Sequence, residues 1–264
     1  MQNSARIWAA VIGVAIVILI AFALLQKPSI TPATSTTAST SASSSAVGAT
    51  THNGVTGTGD FQVTGDTINL NIPDFHAPIS FSSSIQADVK AALSSAATKI
   101  EAKLNVDAGD LESWIDLGTV RKMAGDYAGA EKAWMFVTQA APANPIAFAD
   151  LGDLYQNFMK DYPKAEKNYL TEIKLSPKDE GAYLNLYTMY ANQYKQGTSA
   201  AEDILKKGIA AVPDSVALHV QLARYYKGKN DTADAKAQYD VAIAAANKSG
   251  QSAVASQLQA EENQ

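Results

Sequence analysis

Three histidines, His52, His76 and His219, are the only imidazoles in this chain of 264 residues. A metal centre or a histidine-activated nucleophile needs such groups to converge with carboxylates, thiols or hydroxyls. Here His52 lies in a Ser/Thr-rich tract, His76 beside prolines, and His219 in a segment of helical period. Cysteine is absent, which excludes thiolate catalysis, cysteine-ligated metal and disulfides. No H-E-x-x-H, G-x-x-x-x-G-K-[ST], G-x-S-x-G or G-x-G-x-x-G occurs. Gly57-x-Gly59 has neither a buried strand before it nor a helix after it. The adjacent carboxylates Asp179-Glu180 and Glu202-Asp203 do not face each other on a helix, so they read as caps or surface. The chain is therefore expected not to be an enzyme, with no catalytic residue, no cofactor and no metal. A net charge of -5 and a pI near 5.2 supply no basic field for nucleic acid.

With chemistry set aside, the chain divides into four parts. Residues 7–25, IWAAVIGVAIVILIAFALL, carry no charge and as a helix would span about 28 Å, close to the apolar thickness of a bilayer. Arg6 and the amino terminus precede the run and Lys27 follows it, which favours the N-terminus inside. The expected reading of residues 1–28 is an uncleaved signal anchor in a cytoplasmic (inner) membrane, single-pass, with the rest extracytoplasmic. The alternative is a cleaved signal peptide. Ala21-Phe22-Ala23 could serve as its site, but that site lies inside the apolar run. Residues 29–60 are rich in Ser and Thr, cannot bury enough apolar surface to fold, and are expected to be a flexible linker reaching about 30–35 Å. Residues 61–81 form a short extended junction. Phe61, Val63, Ile68, Leu70 and Ile72 alternate with polar residues around Gly65-Asp66, as in a β-hairpin. From residue 82 to 264 the period is helical.

That last part repeats. Pro142, Pro177 and Pro213 are 35 and 36 residues apart, and Ala130, Ala165, Ala201 and Ala235 are 35, 36 and 34 apart. Aligned on these, one column holds Trp114, Phe148, Tyr183 and His219, and the next Leu117, Leu151, Leu186 and Leu222. A third holds Gly118, Gly152, Tyr187 and Ala223, and a fourth Trp134, Tyr169, Leu205 and Tyr239. A period of about 34 residues with these types marks a solenoid of helical hairpins. Glycine or alanine lets two helices approach, and large rings fill the space around the contact. Asp126, Asp161, Thr198 and Asp231 suit caps of the second helices. Asn144-Pro145 suits a cap and first helical position, and the prolines stop the second helices.

Trp114-x-x-Leu117-Gly118, Gly125-Asp126-Tyr127, Ala130, Trp134 and Pro142 resemble the tetratricopeptide repeat (TPR) family. The resemblance implies an all-α TPR solenoid of about four repeats, 111–144, 145–179, 180–215 and 216–249. Flanking helices at 84–106 and 252–262 would act as caps. Four positions depart from the family pattern. Arg121 stands where later copies have Tyr155, Tyr190 and Tyr226. Tyr187 replaces a small residue, His219 an aromatic one, and Asn247 the fourth proline.

In the family, first helices line a groove that takes extended peptides or helices. Carried over by alignment, the groove positions are Glu112, Ile115, Thr119 and Lys122, then Ala149, Asp153 and Gln156. In the third and fourth copies they are Leu184, Thr188 and Ala191, then Val220, Arg224 and Lys227. The family's clamp for acidic chaperone tails, built of Lys, Asn and Arg, would fall on Ile115, Thr119, Asp150, Gly181 and Asn185, and only Asn185 suits it. The expected function is a membrane-anchored scaffold binding protein partners of envelope, secretion or assembly complexes. Two alternatives remain: a self-associating structural spacer, and a secreted soluble binder after signal cleavage. With the anchor intact, the full chain should sediment with membranes and its mass should include residues 1–28. Deleting 1–28 should release it, and a native mass starting near residue 24 would point to cleavage instead.

Overall fold

The computed structural model describes residues 71–263. The apolar run 7–25, the tract 29–60 and all of the expected hairpin except Asn71 and Ile72 lie outside those residues. Among the described residues the elements are ten α-helices and no strands. They fall into two compact units, one ending at Asp126 and the other beginning at Tyr127. The first contains α1 (Ala87–Val106) and α2 (Leu111–Ala124). The second contains α3 (Tyr127–Ala140), α4 (Pro145–Asp153) with a π-helical turn at Leu154–Met159, and α5 (Tyr162–Leu175). It continues with α6 (Glu180–Asn192), α7 (Ala200–Ala211), α8 (Val216–Gly228), α9 (Thr232–Lys248) and α10 (Ser252–Glu262).

In the first unit α1 buries Val89, Leu93, Ala96, Ala97, Ile100 and Leu104, the spacing of a single helical stripe, and packs on α2. Asp110 caps α2 by accepting from the Ser113 amide and, at 2.6 Å, from the Ser113 hydroxyl. An extended strap precedes α1. Phe75 meets the Trp114 ring edge-on at 5.8 Å. The Arg121 guanidinium donates to the Ala77 carbonyl at 2.5 Å, and the Ser82 amide donates to the Ala124 carbonyl at 2.8 Å. Gly125 ends α2 at φ 83°, where a Cβ would stand 2.8 Å from the Ser82 Cβ. Conformation and space both ask for glycine there.

In the second unit each helix packs on the next. Helices α3, α5 and α7 end at Ala140, Leu175 and Ala211, each two residues before its proline. Helix α9, with Asn247 in place of proline, runs on to Lys248. Asn144, Asp161 and Asp231 cap α4, α5 and α9 through amides two or three residues on. Helix α7 starts one residue later than its expected cap, yet the Thr198 hydroxyl still accepts from the Ala200 amide at 3.3 Å.

The aromatic column has a polar purpose as well as a packing one. Trp114 Nε1, Tyr183 Oη and His219 Nε2 each reach the carbonyl six residues earlier: Ala108 at 2.9 Å, Pro177 at 2.9 Å and Pro213 at 3.0 Å. A carbonyl only accepts, so Nε2 is the donor in the His219 bond, while Nδ1 meets the Gln238 side chain at 2.7 Å. That shared donation explains how a histidine takes an aromatic slot and stays buried.

The repeats differ in length between the aromatic column and the alanine: 16 residues in the first and fourth, 17 in the second, 18 in the third. The single extra residue of the second is absorbed by the π-helical turn, which widens one turn of helix by one residue. The two extra residues of the third lie in the longer loop 193–199, where Lys195 and Gly197 take positive φ. Gly152 sets the α4–α5 approach: a Cβ there would stand 2.5 Å from the Tyr169 ring, which is itself fully buried. Gly152→Ala should therefore destabilise the fold by about 1–3 kcal/mol by overpacking. The check is a lower denaturant midpoint in unfolding of the full chain.

Candidate partner-binding surface

On α2, Glu112, Ile115, Thr119 and Lys122 lie along one helical face. Glu112 is exposed and the other three half-buried. In the second unit, Ala149 and Asp153 on α4 are half-buried. Gln156 lies inside the π-helical turn and is 3 % exposed. Its side chain donates to Gln193 at 2.7 Å and accepts from the Tyr169 hydroxyl at 2.9 Å, so it joins α5 to the end of α6 rather than facing solvent. On α6, Thr188 is exposed, and Leu184 and Ala191 are half-buried. Of the clamp positions in this unit, Gly181 and Asn185 are exposed and Asp150 is half-buried.

The fourth set is already covered. Val220 joins a buried cluster with Ala223, Tyr239, Ala242 and Leu258 of α10. Arg224 donates twice to the Glu261 carboxylate, at 2.7 and 2.8 Å, and Lys227 donates to the Glu261 carbonyl at 2.9 Å. The Tyr239 hydroxyl adds a bond to the same carboxylate at 2.8 Å. The sequence places these three residues on the correct face of α8. It marks 252–262 as a capping helix but not the residues that helix covers, because QLQAEE in α10 carries only a short apolar stripe.

A cleft of about 290 Å³ opens between α6, the loop 193–199 and α8. Tyr187, Tyr190 and Tyr225 line it with Arg224 and Lys229 at the edge, over small residues Ala191, Ala201 and Gly228. No carboxylate lines it. The Lys229 ammonium sits 5.6 Å from the Tyr225 ring centre. Tyr187, the departure from the small-residue column, thus lies on this cleft. Gly197 and Thr198 of the longer loop also line it.

A periodic ladder ties the repeats together beneath these faces. Tyr155 donates to Glu131 at 2.5 Å, Tyr190 to Glu166, and Tyr226 to Glu202 at 3.0 Å. Each pair links a first helix to the second helix before it. Each glutamate also takes a lysine: Lys164, Lys195 and Lys206 respectively. Burial, reinforced by the bond to the glutamate, pushes the phenols of Tyr155 and Tyr190 well above their ordinary value. At the first repeat the residue 24 places before Arg121 is Ala97, buried in α1, so no glutamate is available. A tyrosine would have no acceptor there. Arg121 instead takes Asp126 at 2.7 Å and the strap carbonyl of Ala77. The glutamates follow the repeat alanines directly in sequence (Ala130-Glu131, Ala165-Glu166), and that adjacency is the signal sequence reasoning could have used.

Among the described residues no group of three His, Cys, Asp or Glu side chains could hold a metal ion. No described helix is long and apolar enough to cross a membrane. No family model and no curated protein matches the chain. Solved structures do. A crystal structure of MamA is similar at 18 % identity and a TM-score of 0.50, covering 62 % of this chain and 94 % of that one. A thermophilic TPR protein of Thermus thermophilus is similar at 20 % identity and a TM-score of 0.43, covering 65 % and 93 %. At these identities the likeness is one of fold, and the fold is that of a TPR solenoid.

The bonds from Arg224, and then from Tyr239, hold the Glu261 carboxyl down at about 2. Its folded value is depressed, so the ionised carboxylate stabilises α10 above the ordinary carboxyl range. That contribution fades as pH falls from about 4.5 towards 2. Glu261→Gln should lower hydrogen-exchange protection of α10 at pH 7 and leave α4–α6 unchanged; equal protection in both chains would show that the pair does not hold the helix.

Proposed function

We propose that the chain is a non-enzymatic scaffold anchored in the inner membrane by residues 7–25, with its repeats outside, reversibly binding peptide segments or helices of membrane-associated partners. The observation that carries this is the surface of α6: exposed Thr188 follows Tyr187, and Tyr187, Tyr190 and Tyr225 line a cleft with Lys229 and no carboxylate in its lining. Rings offer flat apolar contact at low entropic cost. Lys229 favours an acidic side chain next to it. A partner segment pairing an acidic with an aromatic or aliphatic residue fits that lining. Tethering raises the effective concentration of this surface near other membrane proteins. Groove positions Asp153, Leu184, Thr188 and Ala191 are assigned to the same surface. Gln156, Val220, Arg224 and Lys227 are assigned to its framework, since internal bonds or α10 engage them.

A self-associating spacer is the second reading. It is favoured by Phe158 and Met159, which are 41 % and 38 % exposed at the end of the π-helical turn, with Phe158 against Tyr127 at 5.0 Å. The test is purification of the tagged full chain from crosslinked, detergent-solubilised membranes, alongside a Thr188→Glu, Lys229→Glu variant. Specific partners that the variant loses at least tenfold support the scaffold. Crosslinks mainly between copies, abolished by Phe158→Ser, support the spacer. Partners retained in full by both variants contradict the assignment of either surface.

A further inference from the structure

Seven residues after each repeat alanine stands a core position, filled by Val137, Glu172, Gly208 and Ala242. Val137 and Ala242 are fully buried, and Gly208 lies close under Tyr183 and Leu218. Glu172, in the last turns of α5, is 5 % exposed, and its Oε2 has no hydrogen-bond partner. The charged groups that face it come from both neighbouring elements and are both acidic: Asp150 on α4 and Asp179, which caps α6 through the Gly181 amide. On its own helix Tyr169 lies one turn earlier, and the nearby bases Lys174 and Lys178 are exposed. A carboxylate in that slot has two like charges beside it, no base and little water. A neutral carboxyl avoids the repulsion and has a smaller desolvation cost.

We propose that Glu172 is a proton-operated latch at the junction of the second and third repeats, holding α5 and the start of α6 together when neutral and loosening them when ionised. Burial first, then Asp179 and Asp150, pushes its carboxyl up to about 7. The folded value is raised, so the closed junction binds the proton more tightly than the opened one does. The stability of the closed form is therefore greatest at low pH. It falls as pH rises from the ordinary carboxyl value to about 7, then levels off. The junction lies directly before α6, so the latch acts on the helix that carries Thr188 without depending on what binds there.

Hydrogen exchange of the full chain in detergent micelles, from pH 4.5 to 8 and corrected for intrinsic rates, tests this. The opening equilibrium around residues 170–185 should rise by about tenfold per pH unit up to about 7 and then flatten. The segment 216–248 should show no such rise. In Glu172→Gln the rise should vanish. Glu172→Ala copies the residue of the fourth repeat and should fold even if the glutamine variant does not; it should also be flat. A wild-type junction insensitive to pH overturns the latch. So does a rise that persists in the variants, or one shared equally by 216–248.

Discussion

Two helices of a repeat can approach only where one of them presents almost no side chain, and the remaining architecture follows from that contact. In the second repeat Gly152 lies under the Tyr169 ring with no room for a Cβ. In the third, the bulk moves to the first helix: Tyr187 replaces the glycine, Leu205 replaces the ring, and Gly208 gives way under Tyr183 and Leu218. Volume is conserved while its bearer changes, as expected of interiors packed near crystal density. The rings that fill these contacts must also satisfy their own polar atoms. Tyr169 does so on Gln156, and Trp114, Tyr183 and His219 do so on the carbonyl six residues earlier.

Much of this was legible from spacing. The column of large residues at Trp114, Phe148, Tyr183 and His219, the alanines and the prolines locate the helix pairs, because a core contact and a helix stop each demand a narrow residue class. The groove residues were legible only as a face. Whether a face is open depends on neighbours distant in sequence, and Glu261 settles that for Arg224 while Gln193 and Tyr169 settle it for Gln156. The π-helical turn was countable as one extra residue, but the count does not say whether a helix widens or a loop lengthens. The second and third repeats take one course each. Arg121 looked like a departure from the pattern until the strap carbonyl of Ala77 showed what it bonds.

The outcome is a surface with unequal parts. One face of helix α8 is covered by α10, while α6 and α8 both border a cleft that the lengthened loop also lines. The ladder of Tyr155, Tyr190 and Tyr226 on glutamates ties each first helix to the second helix before it. Glu172 is the one acidic residue in an otherwise apolar or small column, at the junction leading into that helix. Fold and proposed function therefore meet on α6.

The most direct measurement places a photoreactive amino acid at Thr188 of the full chain, and in a second chain at Lys167 on the exposed side of α5. If α6 is the working surface, illumination in cells should yield a discrete adduct with a non-self protein from position 188 and none from position 167. An adduct from 167 alone, or equal adducts from both, would contradict it.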